Sequence, residues 1–123
     1  MKKILVVEDE EGIARPLIDW LSLSSEGYDV SLAIDGDEAL EKIEKERFDL
    51  VLLDLVLPKH DGFYVLEGMR ARGMDTKVIV LTNLDEEKDR QRVAALGVPY
   101  FDYFVKNETK LSMLAEEIKK VFA

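Results

Sequence analysis

Three short apolar runs, Ile4 to Val7, Leu50 to Leu53 and Val78 to Leu81, constrain this chain more than any other feature. Each is followed by a polar or acidic residue and is too short for a helix. Their continuous apolar character predicts strands covered on both faces, the pattern of a parallel sheet. Asp29 to Ala33 and Tyr103 to Lys106 are weaker strand candidates, with β-branched or aromatic residues after the turn signals Gly27 and Gly97-Val98-Pro99.

Between these runs, apolar residues recur at i+3 and i+4: Ile13, Leu17 and Leu21; Ala39, Leu40 and Ile43; Val65, Leu66 and Met69; and Leu111, Leu114, Ile118 and Val121. Asp85 to Leu96 is strongly charged and carries Val93 and Leu96 only in its last turn, which predicts a loosely docked helix. Pro16 is read into the first turn of the first helix, where its missing N–H has no intrahelical partner. Strand and helix alternate five times. The expected fold is α/β, a doubly wound five-stranded parallel sheet in the order 2-1-3-4-5 with five helices, its crevice at the carboxyl ends of the strands.

At 123 residues the chain predicts one domain over 1–123, with no room for an output domain. Its net charge of −9 argues against a nucleic-acid or anionic-membrane partner, because such surfaces repel this field. The absence of Cys removes disulfides and Cys-based zinc sites and fits a cytoplasmic location. The start imitates an export signal, but Glu8 and Asp9 interrupt the apolar run.

The fold brings together the residues that follow each strand. Glu8 and Asp9 follow the first, Asp54 ends the third, Thr82 the fourth and Lys106 the fifth. Three carboxylates, a hydroxyl and an ammonium therefore converge. Crowded carboxylates disfavour one another's ionised forms unless cations neutralise them. Mg²⁺ suits the donor set, with Asp9 and Asp54 as direct ligands and Glu8 acting through water. Asp54 is then placed to attack phosphorus, Thr82 to donate a hydrogen bond to a phosphoryl oxygen, and Lys106 to supply a fixed positive charge. An acidic pair after a strand is usually a solvated turn; the combined spacing carries the reading.

The stretches Ile4-Leu5-Val6-Val7-Glu8-Asp9-Glu10, Asp54-Leu55-Val56-Leu57-Pro58 with Asp61-Gly62, Leu81-Thr82 and Tyr103-Phe104-Val105-Lys106 resemble the receiver domain of two-component response regulators along essentially the whole chain. The resemblance implies a flavodoxin-like fold and a phosphoacceptor switch rather than an enzyme. Asp54 would be phosphorylated from a sensor histidine kinase or phosphotransfer protein. Mg²⁺ would be held by Asp9, Asp54 and the backbone carbonyl of Val56. Thr82 and Tyr103 would relay the change to an unknown downstream protein through the fourth helix, fifth strand and fifth helix. This chain departs from the family pattern in three places. Asn107 follows Lys106 where most receivers have Pro, so a trans Lys106-Asn107 bond is expected, with Thr109 as N-cap of the last helix. Asn83, larger than the usual Ala or Ser, bears on phosphoryl access and rates. Gly97 to Asp102 is longer than the common pattern, so Tyr103 is placed by counting back from Lys106.

A lone His60 reads as a surface loop residue, and Trp20, Tyr100, Phe101 and Phe104 read as packing. A flavin or nucleotide site needs a Gly-, Ser- or Thr-rich first loop, where Glu8 to Glu11 offers carboxylates. An aspartyl-phosphate hydrolase needs Asp-x-Asp after the first strand. A pure interaction module would not be phosphorylated.

Overall fold

The computed structural model describes residues 1–98 and 101–123, with the side chain of Phe101 also outside the description. The elements alternate along the chain as β1 (Lys3–Val7), α1 (Glu11–Ser22), β2 (Asp29–Ala33), α2 (Gly36–Lys45), β3 (Leu50–Leu53), α3 (Gly62–Ala71), β4 (Lys77–Thr82), α4 (Glu87–Ala95), β5 (Phe101–Val105), a 3-10 turn (Lys106–Glu108) and α5 (Leu111–Phe122). All pairings are parallel in the order β2-β1-β3-β4-β5, the flavodoxin-like arrangement.

The period-two geometry of strands divides the core. Leu5, Val7, Val51, Leu53, Val78 and Val80 face α2 and α3 and pack with Leu40, Leu66 and Met69. Ile4, Val6, Leu50, Leu52 and Ile79 face α1 and α5 and pack with Leu17, Leu21, Leu114 and Ile118. Burial of both faces accounts for the continuous apolar runs. Trp20 and Phe104 pack against the second core. The packing expected of Tyr100, and of the Phe101 side chain, lies outside the described residues.

Three local expectations are corrected. Pro16 sits in the second turn of α1, not the first, so the Gly12 carbonyl loses its i+4 donor. Lys106 lies one residue beyond β5, at the start of the 3-10 turn. Thr109 does not cap α5: Lys110 is the N-cap and makes no side-chain bond, while the Thr109 hydroxyl donates to the Val105 carbonyl at 2.7 Å. No cis peptide bond occurs among the described residues, so Lys106-Asn107 is trans as expected. In α4 only Val93 is buried, in keeping with a loosely docked helix.

Candidate functional site

Backbone pairing carries the first and third strands one residue further into the crevice. The Glu8 N–H donates to the Ala33 carbonyl at 3.0 Å and the Asp54 N–H to the Val7 carbonyl at 3.1 Å. Glu8 and Asp54 are thereby buried, 4% and 5% exposed, while Asp9 faces solvent. Carboxylate oxygens of Glu8, Asp9 and Asp54 lie within 4.8 Å of one another. The Lys106 Nζ reaches in from beyond β5, 2.5 Å from Glu8 Oε1 and 2.8 Å from Asp54 Oδ2. The second Asp54 oxygen, Oδ1, accepts the Val56 N–H at 3.1 Å. Asp54 is thus gripped on both oxygens.

The electrostatics follow from that burial. Desolvation pushes the Glu8 carboxyl above its ordinary value, Lys106 pulls it back and the Asp54 charge adds to the rise. Burial alone would lower the Lys106 ammonium, but its bonds to Asp54 and Glu8 outweigh this and hold it above the ordinary lysine value. Lys106 is therefore a fixed cation, and among the described residues it pairs with both Glu8 and Asp54, with the Asp9 carboxylate beside them.

Two glycines fix the backbone around Asp54. A Cβ on Gly62 would stand 2.4 Å from the Asp54 carbonyl oxygen, and one on Gly36 would stand 2.2 Å from that of His60. Both distances are shorter than any contact a side chain tolerates, so only glycine admits these approaches. Asp61 caps α3 by accepting the Tyr64 N–H at 2.9 Å, and Asp35 caps α2 by accepting the Glu38 N–H at 2.8 Å. The loop turns at Lys59, whose φ of 63° is left-handed. His60 stands outside the carboxylate cluster, on Asp37 at 2.5 Å and stacked on Tyr64.

On the other side of the crevice Thr82 is completely buried, and its Oγ1 accepts the Leu84 N–H at 3.4 Å. The half-buried Tyr103 donates its hydroxyl to the Leu84 carbonyl at 2.7 Å. The Arg90 guanidinium lies over the same ring, 4.4 Å from its centre. Burial and the nearby Asp89 charge push the Tyr103 phenol up to about 12. Asn83 Oδ1 accepts the Asn107 N–H at 3.1 Å, joining two of the three departures from the family pattern.

A family model described as the response regulator receiver domain matches residues 4–119. The chain belongs to that family. The receiver is 45% identical over 105 residues to the alkaline phosphatase synthesis transcriptional regulatory protein PhoP of Bacillus subtilis, covering 85% of this chain and 42% of PhoP. It therefore spans less than half the length of that relative. Among solved structures, the response regulator TrrA of Thermotoga maritima in complex with Mg²⁺ and BeF is 32% identical, with a TM-score of 0.79 over 98% of this chain and 99% of TrrA. The Francisella response regulator 1452 receiver domain is 27% identical, with a TM-score of 0.87 over 99% of this chain and 97% of that one. Receiver domains act in two-component signalling with histidine kinases and bind Mg²⁺ at an acidic pocket, and an acidic cluster of that kind is present here. No described helix is long and apolar enough to cross a membrane.

The structure brings Glu8, Asp9, Asp54 and Lys106 together and leaves Thr82 engaged with its own loop. The direct Glu8–Lys106 pair, the two glycine approaches and the Asn83–Asn107 bond were not anticipated. Only Asp61-Gly62 carried a local signal, a capping residue followed by glycine ahead of an apolar helix.

Proposed function

We propose that this receiver is a phosphoacceptor switch in which an Asp54 oxygen takes a phosphoryl group from a phosphohistidine of a sensor kinase or phosphotransfer protein. The observation that carries this reading is a cluster of three carboxylates, two of which, Glu8 and Asp54, share one lysine, at the mouth of a parallel sheet. The new P–O bond forms as the P–N bond to the donor imidazole breaks, and the electron pair leaves with the imidazole nitrogen.

All three carboxylates offer hard oxygen donors, the kind Mg²⁺ takes. Asp9 and Asp54 would hold it directly, with the Val56 carbonyl, and Glu8 through water. When bound, the ion supplies charge neutralisation and a template for the phosphoryl oxygens. Lys106 is already charged and aimed at Asp54, so it neutralises a phosphoryl oxygen without reorganising. Thr82 leaves the Leu84 N–H to donate to another. Because Leu84 also carries the Tyr103 hydroxyl on its carbonyl, movement of this loop biases Tyr103 and the α4–β5–α5 surface, where a downstream protein would read the change. The receiver's own chemistry is then its Mg²⁺-assisted phosphorylation and slow loss of the phosphoryl group. We place it in the cytoplasm, where such kinases present phosphohistidine.

Intact-mass measurement after exposure to acetyl phosphate with Mg²⁺ tests this directly. Wild type should gain one phosphoryl mass, and Asp54→Asn or removal of Mg²⁺ should abolish the gain. Normal labelling of Asp54→Asn would refute the assignment.

A further inference from the structure

The backbone ladder between β4 and β5 ends at the pair Thr82 and Val105. One step beyond, Asn83 Oδ1 accepts the Asn107 N–H at 3.1 Å. Because the partner is an N–H, the oxygen of the Asn83 amide must face it. This side chain continues the pairing where backbone pairing stops, and it spans from the residue after Thr82 to the residue after Lys106. The far end of the same turn is tied separately, by the Thr109 N–H on the Lys106 carbonyl at 3.3 Å and the Thr109 hydroxyl on the Val105 carbonyl at 2.7 Å. The near end, immediately beyond Lys106, is held by the Asn83–Asn107 bond.

We propose that Asn83 is a positioning residue for phosphoryl transfer: by holding the Asn107 N–H it fixes the turn that aims Lys106 at Asp54 and makes the Thr82 loop and Lys106 move as one unit. The proposal rests on Asp54 being the acceptor. A proline at position 107 has no N–H to offer, so this link is open only to a chain with another residue there, and Asn83 supplies the matching acceptor. Both residues are exposed, so water satisfies either group when the bond is lost, and the fold does not depend on it. A bond of this kind governs geometry more than stability. It acts on the step in which Lys106 must meet a phosphoryl oxygen, not on the binding of Mg²⁺ by Asp9.

The test is a double-mutant cycle on phosphorylation by acetyl phosphate, with the maximal rate and the Mg²⁺ affinity measured separately. Asn83→Ala and Asn107→Pro should each lower the maximal rate by about 3- to 10-fold, the range expected for loss of one hydrogen bond. The double variant should be no slower than either, with Mg²⁺ affinity unchanged throughout. Asn107→Ala keeps the N–H and should match wild type. Additive losses, a wild-type rate in Asn83→Ala, or a slowed Asn107→Ala would each overturn the proposal while Asp54→Asn remains unlabelled. Labelling of Asp54→Asn would instead overturn the acceptor assignment, and this proposal with it.

Discussion

Lys106 is shared by Glu8 and Asp54, so among the described residues neither carboxylate has a cation of its own. Removing one partner of a buried ion pair costs about 3 to 5 kcal/mol, because the remaining charges stay buried and uncompensated. Lys106→Met should destabilise the metal-free receiver by about that amount at neutral pH, as measured by urea unfolding. The pH dependence has a definite sign. The Glu8 carboxyl lies above its ordinary value, so the folded protein binds this proton more tightly than the unfolded chain does. Its ionisation therefore costs stability as pH rises from the unfolded value of 4.5 through the folded one, and the cost is gone only once pH falls below the unfolded value. Lys106 also lies above its ordinary value, so its contribution is complete below the unfolded value of 10.5 and is lost as pH rises through the folded one. Acidification should thus recover part of what Lys106→Met loses, and a deficit that does not vary with pH would contradict the charge account. The positions of Asp9, Asp54 and Thr82 at the carboxyl ends of β1, β3 and β4 were legible in the sequence, because an apolar run marks each strand and a polar residue marks its end. The Glu8–Lys106 pair and the Asn83–Asn107 bond were not, since each joins residues far apart in the chain whose contact depends on loop paths.

Among the elements α4 stands apart. Its only buried residue is Val93, and its contacts include cationic side chains over rings, Arg92 on Phe63 and Arg90 on Tyr103, beside an Arg90–Asp85 ion pair and a capping box at its start. Few buried contacts imply a low local opening energy. Amide exchange should therefore be fastest in α4 among the five helices. Val93→Ala, which removes about 2 kcal/mol of burial, should accelerate that exchange well before global unfolding. Exchange in α4 as slow as in α3 would show that the helix is not the mobile part of the switch. Strands β1, β3 and β4 were legible because burial on both faces leaves an unbroken apolar run. Element ends were less legible. Pro16 falls in the second turn because α1 begins at Glu11, and Thr109 turns back to Val105 because the chain first makes a 3-10 turn. Both outcomes depend on where neighbouring segments dock, which no local pattern encodes.

At the scale of the whole molecule, a chain of net charge −9 concentrates three carboxylates at one end of its sheet, so a bound divalent cation should stabilise the entire fold. Mg²⁺ at about 100 times its Kd should add about 2.7 kcal/mol, seen as a rise in Tm that NaCl of equal ionic strength does not reproduce. Asp9→Ala should remove most of that rise; an undiminished shift would place the ion elsewhere. Glu8 and Asp9 follow β1 and Asp54 follows β3, whereas the lysine paired with Glu8 and Asp54 lies past β5, 52 residues after Asp54. At about 5–20 residues per second, these carboxylates are synthesised some seconds before their counter-charge exists. For that interval the growing chain has its carboxylates and no Lys106, so the crevice gains its fixed cation only when the last strand and the turn beyond it dock, and charge balance at the site is completed late in folding.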